Sequence, residues 1–167
     1  LTFEIQKAIP AAITIPTATA ITYGETLADA VLSDSAWVWE DETIAPVVPG
    51  DMYMAYIGVD DHNYDFTGVE GYNSGAHRVE SKIAVTVNKA AVAPNLPSAT
   101  MNVAYSVKTV SAVTLPNGWA WEAEDASNAL MVGEAVNATA VYKGADAGNY
   151  ETETVEVAIT RSTCSHS

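Results

Sequence analysis

The stretch YIGVDDHNY, Tyr56–Tyr64, returns 86 residues later as YKGADAGNY, Tyr142–Tyr150. Both read Tyr-x-Gly-x-Asp-x-x-Asn-Tyr, so the phrase is either a chemical site copied twice or a fold signature copied twice. Its surroundings repeat as well. Lys7 in EIQKA and Lys89 in TVNKA lie 82 residues apart, and each is followed by a tyrosine 16 residues on, Tyr23 and Tyr105. Each tyrosine is followed 14 residues later by a Trp-x-Trp pair, Trp37 with Trp39 and Trp119 with Trp121. Landmarks in constant order at one offset identify an internal repeat. The offset rises to 86 at the quoted phrase and falls to about 70 at the closing strands KIAVTV and TVEVAIT. The first copy therefore carries about 16 extra residues after Tyr64, an insertion near 65–82.

Between the copies lies VNKAAVAPNLPSAT, whose Pro94 and Pro97 cannot sit inside a central strand and so mark a connection. The expected organisation is a first β repeat over 1–90, a second over 91–160, and a tail over 161–167 that starts a following segment. The chain opens on the strand-like LTFEIQKA, which reads as a piece of a longer protein.

Composition restricts both fold and partners. Hydrophobic residues make up 49% and charged ones 17%, the balance of a globular chain rather than a disordered one. Val, Ile and Thr are abundant, which favours strands. Ile83, Val85 and Val87 alternate with Ala84, Thr86 and Asn88, and Val155, Val157 and Ile159 alternate with Glu156, Ala158 and Thr160. This is the pattern of a half-buried strand. DMYMAYIGV and AVNATAVYK are apolar on both faces and read as central strands. ETLADAVL could form a helical turn, but its Val- and Thr-rich counterpart KTVSAVTL tips both towards strand. The fold class is all-β: two tandem small β domains, read first as immunoglobulin-like β-sandwiches, with β-grasp-like sheets as the alternative.

Twenty-one acidic residues against seven basic ones give a formal charge of −14, which repels nucleic acid and anionic membranes. No apolar run reaches the ~20 residues of a membrane span, so no membrane insertion of this fragment is expected. The lone Cys164 can form no internal disulfide. His62, His77 and Cys164 are too scattered for a zinc site, and no phosphate loop or nucleophile elbow is present. No catalytic, metal or cofactor-binding residue is therefore nominated.

Tyr56, Asp60, Asn63 and Tyr64, with Tyr142, Asp146, Asn149 and Tyr150, are read as a structural repeat signature. Asp and Asn favour turns, Gly58 and Gly144 give the strand end room to bend, and tyrosine buries its ring while satisfying its hydroxyl. The richer acid cluster DDHNYD has no second copy, since Asp61 and His62 give way to Ala147 and Gly148. Ligand-binding candidates are Trp37 and Trp39, which share one side of a strand and could form a sugar platform, and Tyr72, His77 and Arg78 in the insertion.

ITYGETL, the NY followed by a variable stretch, and the closing AVTVNKA resemble the MBG or YGX-type repeats of large bacterial cell-surface proteins. LPNGWAWE, YKGADAGNY and VEVAIT look like a sister variant, and the resemblance covers about residues 15–160. Ser106 stands in place of the Gly of Tyr-Gly, and Ser35-Ala36 in place of Asn-Gly. The resemblance implies an extracellular, exported, adhesin-like surface protein with no catalytic residues to carry over. Its partners would be neighbouring repeats of the same polypeptide, and host glycan or matrix protein if the module binds.

Overall fold

The computed structural model describes residues 2–165. The chain is all-β and divides into two compact units, Leu1–Asn88 and Lys89–Ser167. No described helix is long and apolar enough to cross a membrane.

In the first unit the strands are β1 (Ile21–Thr22), β2 (Trp37–Trp39), β3 (Gly50–Gly58), β4 (Tyr72–Asn73) and β5 (Arg78–Asn88). They form one mixed sheet in the order β1-β5-β3-β2, with β4 pairing β5 beside this path. β1 runs parallel to β5, whereas β3 is antiparallel to both β5 and β2. The alternation read in β5 decides which face is inside: Ile83, Val85 and Val87 are each buried. β3 is central, as its apolar composition indicates, and pairs with β5 from Gly50↔Thr86 to Gly58↔Arg78.

The second unit has β6 (Ala90–Val92), β7 (Thr100–Val103), β8 (Trp119–Trp121), β9 (Ala135–Tyr142), β10 (Tyr150–Thr152) and β11 (Thr154–Arg161). Its main sheet repeats the path as β7-β11-β9-β8, again with the first strand parallel to the last. β6 and β10 form a separate parallel ribbon.

The sandwich detail is finer than what the sheets show. Among the described residues, irregular chain covers part of one face of each main sheet. Leu27 and Ala30 cover Val85 and Val87; Val110, Val113 and Leu130 cover Trp119, Val157 and Ile159. These covering segments correct the strand reading of ETLADAVL and KTVSAVTL, because each forms a single 3-10 turn, Leu27–Asp29 and Val110–Ala112. In the first, the Thr26 N–H donates to the Asp29 carboxylate at 3.0 Å, a local bond that competes with sheet pairing. Leu27 and Val110 then point inward and are fully buried.

Register also corrects the size of the insertion. Ala55 pairs with Ser81 and Ala140 with Val155, so the closing strands are offset by 74 residues, not about 70. The first copy gains twelve residues relative to the offset of 86 at the phrase. The extra chain proper ends where β5 begins at Arg78, inside the expected 65–82 span.

Candidate functional site

The signature phrase builds a turn in both units, but by different bonds. Asp60 accepts from the Asn63 N–H at 3.2 Å and from Asn63 Nδ2 at 2.7 Å, and its carbonyl accepts the Tyr64 N–H at 3.1 Å. In the second unit, Asn149 uses its N–H and its Nδ2 on the Asp146 carbonyl, at 2.9 and 3.1 Å. The Asp146 carboxylate then receives the Tyr142 hydroxyl on one oxygen at 2.8 Å and the Tyr150 hydroxyl on the other at 2.9 Å. The Tyr142 ring meets Tyr150 edge-on at 5.7 Å and Trp119 at 5.7 Å.

Tyr56 and Tyr142 are not structural equivalents, although the phrase aligns them. Trp37 pairs with Ile57, whereas Trp119 pairs with Tyr142. The strands are offset by 85, not 86, and a one-residue difference puts the side chain on the other face. Tyr142 is buried, while Tyr56 lies across from Glu80 beneath the Arg78 guanidinium, 4.2 Å from its ring centre. Gly144 differs from Gly58 accordingly. A Cβ on Gly144 would collide with the Tyr142 hydroxyl and ring, whereas one on Gly58 would meet nothing within 4 Å.

The tryptophan pairs form no exposed platform, which corrects that route to a sugar site. Trp37 and Trp119 are buried. Trp39 and Trp121 are half-buried, and each donates its indole N–H at 2.9 Å to the carbonyl just after a 3-10 turn, Ala30 or Val113. The pairs thus fasten the covering segment to the sheet. Trp119 donates to the Pro94 carbonyl at 2.9 Å, but the buried Trp37 Nε1 has no partner among the described residues. Beside Trp37 lies a cavity of about 480 Å³ bounded by residues 10–14, Ile57, Asp60 and Phe66.

Within the insertion, the structure brings Tyr72 and His77 together on Asp61. The Tyr72 hydroxyl donates to Asp61 Oδ2 at 2.6 Å, and His77 Nδ1 lies 2.8 Å from the same oxygen. Lys7 Nζ donates to the Asp61 backbone carbonyl at 2.5 Å. His77 takes a left-handed backbone conformation, φ +53°, at the end of the β4–β5 hairpin, and its side chain is 71% exposed. Arg78 belongs to a neighbouring network, donating to Glu80 at 2.7 Å and Glu40 at 2.8 Å while Asn73 Nδ2 donates to Glu80 at 2.9 Å. Phe66 is buried against this region, its ring 5.8 Å from that of Tyr72.

The Tyr72 hydroxyl, and then His77, hold the Asp61 carboxyl below the usual carboxylate range, and the same bond raises the Tyr72 phenol. Arg78, followed by Asn73, lowers Glu80. The arrangement orients an imidazole by its Nδ1 while the side chain stays largely exposed, a geometry suited to a hydrogen bond with a ligand. No three His, Cys, Asp or Glu side chains among the described residues converge as a metal ion would need. Asp61, Phe66 and Glu80 were not nominated from sequence. DDHNYD was visible as an acid cluster, but its missing second copy concealed the role of Asp61, whose carboxylate bonds Tyr72 and His77 of the insertion. Neither a protein-family model nor a curated protein sequence matches the chain.

Proposed function

We propose that the two units are non-catalytic spacer repeats of an exported bacterial cell-surface protein. The observation that carries this reading is the parallel pairing of first and last strands of the main sheet in both units, β1 with β5 and β7 with β11. Tension applied through the ends of such a unit loads this pair in shear, so several backbone hydrogen bonds resist together instead of opening one at a time. A stalk element needs that property, and a repeated unit supplies it in series. The finer immunoglobulin-like assignment and the placement at the cell surface rest on the resemblance of ITYGETL, LPNGWAWE and AVTVNKA to MBG-type repeats.

A second reading is an adhesive module for host glycan or matrix protein. One observation favours it: the insertion is a folded polar cluster that presents His77 outward from Asp61. Two measurements separate the readings. Single-molecule stretching is expected to give two discrete unfolding events under the spacer reading, and extension without force peaks would overturn it. On arrays of glycans and matrix proteins, the spacer reading expects no saturable binding. Binding that disappears in His77→Ala would establish the adhesive reading instead. Deleting the whole insertion is a poor test, because Phe66 and Val79 belong to the core.

A further inference from the structure

Phe3 and Ile5 are 86% and 95% exposed, among the described residues the most solvated large apolar side chains apart from Ile9. They sit two residues apart in sequence, the spacing that would share one face of a strand, in a protein whose alternating closing strands bury that face. Single exposed apolar residues need no explanation, but an alternating pair with strand patterning does.

The repeat supplies the explanation. At the offset of 82, LTFEIQKA (1–8) falls on IAVTVNKA (83–90). Leu1, Phe3 and Ile5 take the positions of Ile83, Val85 and Val87; Gln6 takes that of Asn88; Lys-Ala is identical. The alignment is anchored in space as well as in sequence. Ala8 forms a parallel bridge with Tyr64, and Ala90 pairs in parallel with Tyr150, the closing tyrosine of the phrase in each unit. Ile83, Val85 and Val87 are the inward face of β5, each 3% exposed. Phe3 and Ile5, before Ala8, carry the same pattern and lie exposed.

We infer that residues 2–7 are the closing strand of a further β unit of this same build, positioned before Ala8. This rests on the tandem-repeat reading above and adds to it the nature of the partner. The partner is a unit complete except for its last strand, whose first strand accepts residues 2–7 in parallel and whose third strand accepts them antiparallel, as β1 and β3 accept β5. Phe3 and Ile5 enter its core, and Glu4 and Gln6 face out as Thr86 and Asn88 do. One strand thus closes one unit and leads through Lys-Ala into the next, which couples neighbours without a separate linker.

The test is a fusion in which a second copy of residues 8–82 is placed directly before Leu1 of the whole chain. A control fusion carries the added copy with its own Ile83–Ala90 strand. The inference expects a third cooperative unfolding transition in the first fusion. Amides of Phe3 to Gln6 should exchange at least about 100-fold slower than in the unfused protein. Phe3→Asp with Ile5→Asp should abolish the third transition and leave the other two. If the control folds and the first fusion leaves its added segment protease-labile, the inference is overturned while the tandem reading survives. If the control also fails, tandem addition itself fails and takes the inference with it.

Discussion

The two units reach one sheet topology through the same landmarks, yet they finish it differently. In the second, Tyr142 folds over Gly144 to Asp146, Trp119 is hydrogen-bonded to Pro94, and β6 pairs with β10. In the first, Tyr56 faces away, Trp37 Nε1 has no partner among the described residues, and the leading segment makes a single bridge at Ala8. The cause lies just after the phrase. Asp65 accepts from both the N–H and the hydroxyl of Thr67, at 3.0 and 2.7 Å, and this local turn ends the extended edge where Glu151 and Thr152 continue it. Aspartate is short enough to bond the backbone two residues on, and that bond competes with a ladder. Phe66 is thereby turned into the core, and the leading segment loses the strand beside which it would lie. A shared topology tolerates divergent edges when the buried alternation of the closing strand is kept.

The largest contrast is expected at the two glycines of the phrase. Gly144→Ala drives a methyl group into Tyr142 and should destabilise the second unit by about 2 kcal/mol. Gly58→Ala meets open space at a strand end and should leave the first unit unchanged or raise its stability by about 0.5 kcal/mol. Denaturant unfolding read by amide exchange in each unit measures both. Equal effects would mean that Gly144 is not held by Tyr142.

The tyrosines come next. Tyr142→Phe removes a hydroxyl bonded to Asp146 and should cost about 1 kcal/mol. Tyr56→Phe keeps the ring beneath Arg78 and should stay within about 0.5 kcal/mol of the parent. A comparable difference is expected for the buried tryptophans. Both Trp→Phe changes shrink a buried ring, but only Trp119→Phe also breaks a hydrogen bond, so it should cost about 1 kcal/mol more than Trp37→Phe. A larger loss at Trp37 would show that its indole N–H has a partner in solution.

Much of this architecture was legible before the fold was known. Ile83, Val85 and Val87 alternate in sequence and are buried together, because period two has a single reading when one face meets a core. The covering turns were not legible. Val and Thr in KTVSAVTL carry strand propensity, but burial of Val110 outweighs it, as tertiary packing overrides a scale spanning about 1 kcal/mol. The phrase itself misled at Tyr56, because identical spacing of letters concealed a one-residue change of register. Asp61 was hidden for the opposite reason: it bonds Tyr72 and His77, eleven and sixteen residues away, and no local pattern announces that convergence.

The smallest expected effect is a dependence on pH confined to that convergence. Asp61 has its carboxyl lowered in the folded protein, first by the Tyr72 hydroxyl and then by His77. A depressed carboxylate contributes its stability above the unfolded value of about 3.9, and the contribution fades as pH falls through the folded value. Tyr72 has the opposite sign: its phenol is raised by the same bond, so its contribution is complete below about 10 and fades as pH rises through the folded value. The insertion should therefore be most firmly closed between these limits. Asp61→Asn keeps an acceptor for Tyr72 but removes the charge, and should flatten the acid limb of amide protection across residues 65–77. An acid limb identical to that of the parent would place the titrating group elsewhere, with Glu80 beside Arg78 the next to examine, since it is lowered for the same kind of reason.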